Sequence, residues 1–189
     1  FIRWVQMYSA LVEGRYTHIN YTRNYFPIFD SIFRKNNSFV DYEIQTDEAG
    51  GLFLKWAWKD SKAEIYAEFH YNDAKQNLRD LILDSDHSRA ATFGLQKVFS
   101  INDDDFLFNW EWTQMEQTGS RLIRNSGSWY EHIYVYDGYT NKGEVLGSAI
   151  GPGSNSHFFS FNRIRNKELI GIGLEIVDND NDFYHEAFA

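Results

Sequence analysis

The chain has 189 residues, 27 acidic against 18 basic side chains, a formal net charge of -9, no cysteine, and 16 Phe, 12 Tyr and 6 Trp, yet its mean hydropathy is only -0.52. Zero cysteine excludes a disulfide scaffold and thiolate-bound metals. The acidic balance excludes broad binding to phosphate backbones, the aromatic load excludes disorder, and no run approaches the roughly 18 apolar residues of a spanning helix.

At the N-terminus, Phe1 opens directly onto FIRWVQMYSALVEG, a strand-like stretch with no basic leader before it, so the chain is expected to be cut from a longer one. RYTHINYTR (15–23) is also strand-like. Residues 24–35 carry apolar side chains at 26, 28, 29, 32 and 33, a helical spacing with Pro27 suited to the first turn. Strict alternation follows. Leu52, Leu54, Trp56 and Trp58 share one face, and Phe53, Lys55, Ala57 and Lys59 the other. Beyond the turn Asp60-Ser61-Lys62, Ile65, Ala67, Phe69 and Tyr71 oppose Glu64, Tyr66, Glu68 and His70, which predicts a β-hairpin.

Residues 78–90 predict a short helix on Leu78, Leu81 and Ile82, ending in an Asp/Ser-rich turn. A second hairpin is expected next. Ala91, Phe93, Leu95 and Phe99 lie on one face with Lys97 as the exception, and after a turn at 101–105 come Phe106, Phe108, Trp110 and Trp112. WYEHIYVYDG (129–138) reads as another strand, with aromatics on both faces. The stretch 138–156 is rich in Gly, Ser and Asn and reads as a structured loop anchored by Val145, Leu146 and Ile150. HFFSFNRI and ELIGIGLEIV complete the strands, the latter placing Ile170, Ile172, Leu174 and Ile176 together.

About eight or nine antiparallel strands fit two all-β architectures. A soluble sandwich buries the apolar face between sheets. An up-and-down transmembrane barrel turns it to lipid and keeps Glu, Lys, His and Asn in the lumen. Trp56, Trp58, Trp110 and Trp112 at strand ends would suit an aromatic girdle, and short turns alternating with long glycine-rich loops also favour the barrel.

Several chemistries are open to these residues. Glu64, Glu68 and Glu111 project from polar faces of adjacent hairpins, as a glycosidase pair would; the plainer reading is carboxylates facing water. The histidines at 18, 70, 87, 132, 157 and 185 form no metal motif, and no cofactor is expected. Asp178-Asn179-Asp180-Asn181-Asp182 resembles a calcium loop but lacks the EF-hand glycine and terminal Glu, and reads as a solvated turn. No GxSxG elbow occurs. GPGSN (151–155) lacks the strand-then-helix context of a phosphate loop. Sugar contact is the best-supplied chemistry, through Tyr130, Tyr134, Tyr136, Tyr139, Asn141 and Asn155 around the long loop.

Two segments carry a family resemblance. The first is EIYAEFHYNDAKQNLRDLILDSDHSRAATFGLQKVF (64–99), with Arg79, Asp80, Asp86, His87, Ser88, Arg89 and Gly94. The second is YDGYTNKGEVLGSAIGPGSNS (136–156), with Gly138, Tyr139, Thr140, Gly143, Gly147, Gly151, Pro152, Gly153, Ser154 and Asn155. Together with the terminal NDNDFYH they resemble the capsule assembly protein family Wzi, over roughly residues 50–185. The resemblance implies an outer-membrane barrel of about 18 strands. It also implies a lectin-like, non-enzymatic role in holding capsular or other surface polysaccharide, with outer-membrane lipid around a monomeric barrel.

The whole of 1–189 is then expected to be one barrel region of about 8–10 strands, approximately the C-terminal half of the larger wall. Tyr136, Tyr139, Asn141 and Asn155 are the candidate polysaccharide contacts. Arg79, Asp80, Asp86, His87 and Arg89, and Gly143, Gly147, Gly151, Pro152 and Gly153, are expected to pin loops rather than touch ligand, the first set through a charge-assisted network. A soluble β-sandwich lectin or hydrolase and a porin-type transport barrel are the alternatives.

Overall fold

In the computed structural model, which describes residues 2–13, 46–72, 78–123, 128–131 and 139–188, the alternating segments join into one antiparallel sheet. Its strands are β1 (Ile2–Glu13), β2 (Thr46–Trp58), β3 (Ala63–Asn72), β4 (Arg89–Ile101), β5 (Asp104–Gln114), β8 (Asn155–Arg165) and β9 (Glu168–Asp178). They pair in that order, as an up-and-down meander of seven strands. A small hairpin, β6 (Thr140–Asn141) with β7 (Glu144–Val145), stands apart from the sheet. Helix α1 (Leu78–Leu83) follows β3, a 3₁₀ turn (Gly119–Leu122) follows β5, and α2 (Asn181–Phe188) follows β9. The large strands run 10 to 13 residues, the length that crosses a bilayer when tilted.

The register turns each alternation into rows that cross the sheet. Trp56, Ile65, Leu95, Trp110, Phe159 and Leu174 form one row on the apolar face. Lys55, Tyr66, Gly94, Glu111, Phe158 and Glu175 form the neighbouring row on the polar face. Among the described residues no second sheet covers the apolar face. Ile170, Ile172, Leu174 and Ile176 remain 53–79 % exposed. They span about 20 Å of strand, close to the height of a lipid-facing band. A sandwich would bury such a face, so the alternative of a soluble β-sandwich is set aside.

Charged residues close the band at the short-turn end. Asp104 accepts from Arg163 at 2.8–2.9 Å and faces Arg165 at 3.5 Å. Lys97, the exception in the β4 pattern, pairs with Ala63 at the end of β3. Its ammonium reaches back to donate to the Ser61 carbonyl in the turn and lies over the Phe99 ring, 5.5 Å from its centre. This is the snorkelling expected of a lysine one row inside an apolar boundary. Trp56 and Trp110 share a row, whereas Trp58 lies one row nearer the short turns and Trp112 one row nearer the long loops, so the four tryptophans do not share one girdle row.

The connections sort by length. Residues 59–62, 102–103 and 166–167 make short turns at one end of the sheet. The longer segments between β1 and β2, β3 and β4, and β5 and β8 all leave from the other end, as does α2. Pairing is staggered: β2 runs past β3 at the long-loop end, and β4 runs past β3 at the short-turn end. Such stagger is what tilted barrel strands need. Among the described residues the sheet is not closed, and β1 and β9 each present one unpaired edge.

The small buried core lies on the polar side. Ala90, Met115 and Trp129 pack with Tyr130 and Ile150, where the long segment after β5 folds back over the sheet. Trp129 and Tyr130 therefore occupy a turn over the polar face, not the start of the expected strand; 132–138 fall outside the described residues, as do the strand and helix expected at 15–23 and 24–35. Tyr130 takes a positive φ of 70° that a strand does not permit.

Candidate functional site

The polar face is built from residues that bond across strands. Asn109 donates to Ser160 at 2.8 Å, and the hydroxyls of Thr92 and Thr113 lie 3.3 Å apart. Lys55 and Glu64 pair at 2.7 Å. Toward the long loops, the Tyr66 ring lies across the backbone of Gly94 on the next strand, where a Cβ would overlap the ring. From there its hydroxyl donates to Glu111 on β5. One side chain thus bridges β3, β4 and β5, and the missing side chain of Gly94 makes room for it. The Glu68 carboxylate meets His70 Nε2 at 3.2 Å.

The long segment roofs this wall. The His70 and Trp129 rings meet edge to face at 6.3 Å, and Trp129 contacts Tyr130 at 6.2 Å. Tyr130 accepts from the Ser148 backbone N–H at 2.9 Å, with its ring against Gly147, which has no space for a Cβ. Burial pushes the Tyr130 hydroxyl pKa above its ordinary value, against the opposing effect of the Ser148 bond. Between wall and roof lies a cleft of about 490 Å³, lined by Tyr66, Glu68, Glu111, Trp129, Tyr130 and Tyr139 among others. Trp129 is 9 % exposed, and its Nε1 has no hydrogen-bond partner among the described residues.

Both motif blocks lie at this end. In the first, His87 is 1 % exposed with Nδ1 3.9 Å from Asp84. Ser88 takes φ 60°, its carbonyl accepts from Asn72 N–H at 2.8 Å, and its hydroxyl donates to the Asn72 carbonyl. That closes the β3–α1–β4 connection. The Asp86 carbonyl accepts from Thr118. Arg89 reaches Gln114 at 3.5 Å, and Arg79 lies exposed on α1.

The second block is a knot of backbone bonds. Lys142 and Gly143, both with positive φ, turn the β6–β7 hairpin that carries Asn141 at its exposed side. Gly151 donates to Ser148 O at 3.2 Å, and the Pro152 carbonyl accepts from Ser154 Oγ at 3.0 Å. Gly153, at φ 60°, packs against Asp182, where any Cβ would come within 2.8 Å. Asn155 is spent on structure: its Oδ1 accepts from Met115 and Glu116 N–H, and its Nδ2 donates to Glu116 at 2.6 Å.

Of the candidate sugar contacts, then, Tyr139 lines the cleft, Asn141 stands exposed on the hairpin, Asn155 ties the loop, and Tyr136 lies outside the described residues. Asp182, read from the sequence as part of a solvated turn, is 2 % exposed. It accepts from Gln117 N–H at 2.9 Å, Ser128 Oγ at 3.0 Å and Arg121 at 3.2 Å. Burial holds its carboxyl above the usual range despite these donors. Among the described residues no cluster of His, Asp and Glu is arranged to hold a metal ion. Trp129, read from the sequence as the start of a strand, and Asp182, read as part of a solvated turn, take these roles through contacts with segments distant in the chain.

An up-and-down meander of membrane-length strands, apolar on one face and polar on the other, defines a barrel wall of the outer-membrane class. The family model for Capsule assembly protein Wzi matches residues 21–183. The chain belongs to this family of outer-membrane capsule assembly proteins. No curated protein and no solved structure matches the chain.

Proposed function

We propose that the chain serves capsule assembly by binding surface polysaccharide directly, as a lectin and without catalysis, at the long-loop end of its barrel wall. The carrying observation is the cleft in which Trp129, Tyr130, Tyr139 and Tyr66 surround the carboxylates of Glu68 and Glu111. Flat rings beside a few directed polar groups are what a sugar ring requires: apolar faces to stack on and acceptors for its hydroxyls. The location supports the reading as well. Outer-membrane barrels keep short turns at the periplasm and long loops outside, an orientation in which the cleft would face the capsule. The roofing loop over the polar face favours holding a chain over conducting solute. The free edges of β1 and β9 support a sheet that forms part of a larger wall, since lipid leaves no partner for an open edge.

The test is retention of purified, host-derived capsular polysaccharide by the full-length protein in detergent. Trp129→Ala and Tyr130→Ala should each weaken binding about tenfold, the usual loss for a central aromatic anchor. Equal retention by the wild type and both variants would remove the cleft from the function.

A further inference from the structure

The charge of the cleft says more about its ligand than its shape does. Its described lining contains the carboxylates of Glu68 and Glu111 and no lysine or arginine. The nearest thing to a cation there is His70, which faces Glu68 at 3.2 Å. Two described basic side chains of this region are engaged by other carboxylates, Lys55 by Glu64 and Arg121 by Asp182. The Tyr66 hydroxyl, a donor that an anionic ligand would need, is already given to Glu111. A carboxylate brought between wall and roof would therefore face two like charges in a partly desolvated space, with no lysine or arginine among the described lining to offset them.

A hydroxylated ring meets the opposite situation. Each glutamate oxygen accepts more than one donor, so vicinal hydroxyls have acceptors waiting. Trp129 Nε1, buried and unbonded among the described residues, offers a donor to a ring or hydroxyl oxygen. We infer that the cleft accepts a non-anionic sugar unit and rejects uronate-type units, so that on a mixed polysaccharide it selects where along the chain the protein holds. This rests on the glycan reading above and adds the sign of its specificity.

Pairs of matched probes test it: neutral hexose oligosaccharides, and the same oligosaccharides oxidised at C6 to the carboxylate. Both are titrated against the full-length protein in detergent, with heat-modifiable gel mobility as the check on folding. The neutral member of a binding pair should bind about tenfold or more tightly than its carboxylate counterpart, as like-charge rejection predicts. Raising the salt should narrow the gap, because the repulsion is screened. In Glu68→Gln/Glu111→Gln the gap should fall below about threefold. Glu68→Gln alone, which leaves the Tyr66–Glu111 bond in place, should narrow it partway. A carboxylate member that binds wild type as well as its neutral counterpart would overturn the inference while leaving the glycan reading standing. So would a gap that both variants leave unchanged. Failure of every pair to bind would instead overturn the glycan reading.

Discussion

Asp182 shows how a single carboxylate organises the loop end. It receives Gln117 N–H, Ser128 Oγ and Arg121, joining α2 to the segment that follows β5 and to Ser128 next to Trp129. Removing it takes the carboxylate acceptor from the buried Gln117 amide and from Arg121, whose guanidinium keeps its 3.4 Å bond to the Gln117 carbonyl, a loss of about 1–3 kcal/mol in docking. Asp182→Ala should therefore abolish hydrogen-exchange protection of the Gln117 amide, whereas Asp182→Asn, which keeps an acceptor oxygen, should retain most of it. The pH dependence has a definite sign. The docked carboxyl titrates above the ordinary range of the undocked one, so docking takes up a proton. Its contribution is complete below the ordinary Asp pKa and is lost as pH rises through the raised value. Protection of Gln117, corrected for intrinsic exchange, should be greater at pH 4 than at pH 8 in the wild type. In Asp182→Asn it should be flat, and a wild-type profile that rises with pH would reverse the assignment.

Elements built on alternation were legible in the sequence, and for a physical reason. A strand's faces are set by a period of two, so Leu52, Trp56, Phe106 and Ile172 declare a shared environment without any knowledge of partners. The β2–β3, β4–β5 and β8–β9 hairpins and α1 all lie where the pattern places them. The pattern does not reveal which neighbour lies across a row. Tyr66 over Gly94, and hence the bridge to Glu111, follows from the β3–β4 register alone. The segment at 129–131 misleads for a related reason: its aromatics suit strand propensity, but tertiary packing on Met115 and Ala90 holds them in a turn. On β9 the two faces make opposite predictions. Leu174 sits in the middle of the apolar band, paired with Phe159. Leu174→Lys should cost about 2–4 kcal/mol of membrane folding, as charge at a bilayer midplane does. Gly173→Ser, on the polar face of the same strand, should cost well under 1 kcal/mol. Urea unfolding of the full-length protein in lipid vesicles measures both, and comparable losses would deny β9 a lipid-facing side.

At the scale of the whole molecule, the question is what meets the free edges. β9 is exposed along its entire length, and with β1 it bounds the sheet. An edge strand bonds its neighbour with alternate backbone groups and leaves the rest unpaired, at several kcal/mol per group in hydrocarbon. The apolar side chains of β9 suit that environment, so the reading of the sheet as part of a larger wall predicts that a further strand pairs with β9, and another with β1, in the assembled protein. Hydrogen exchange resolves this strand by strand. In the full-length protein reconstituted into lipid, every amide from Leu169 to Val177 should exchange as slowly as those of β8, because both edges of β9 are bonded. Protection that alternates along β9, slow toward β8 and fast on the other side, would mean that the edge is open. The sheet would then be a complete ribbon lying against some surface other than lipid. The cleft would be reinterpreted with it, since its polar wall is a lumen wall only if the barrel closes around it.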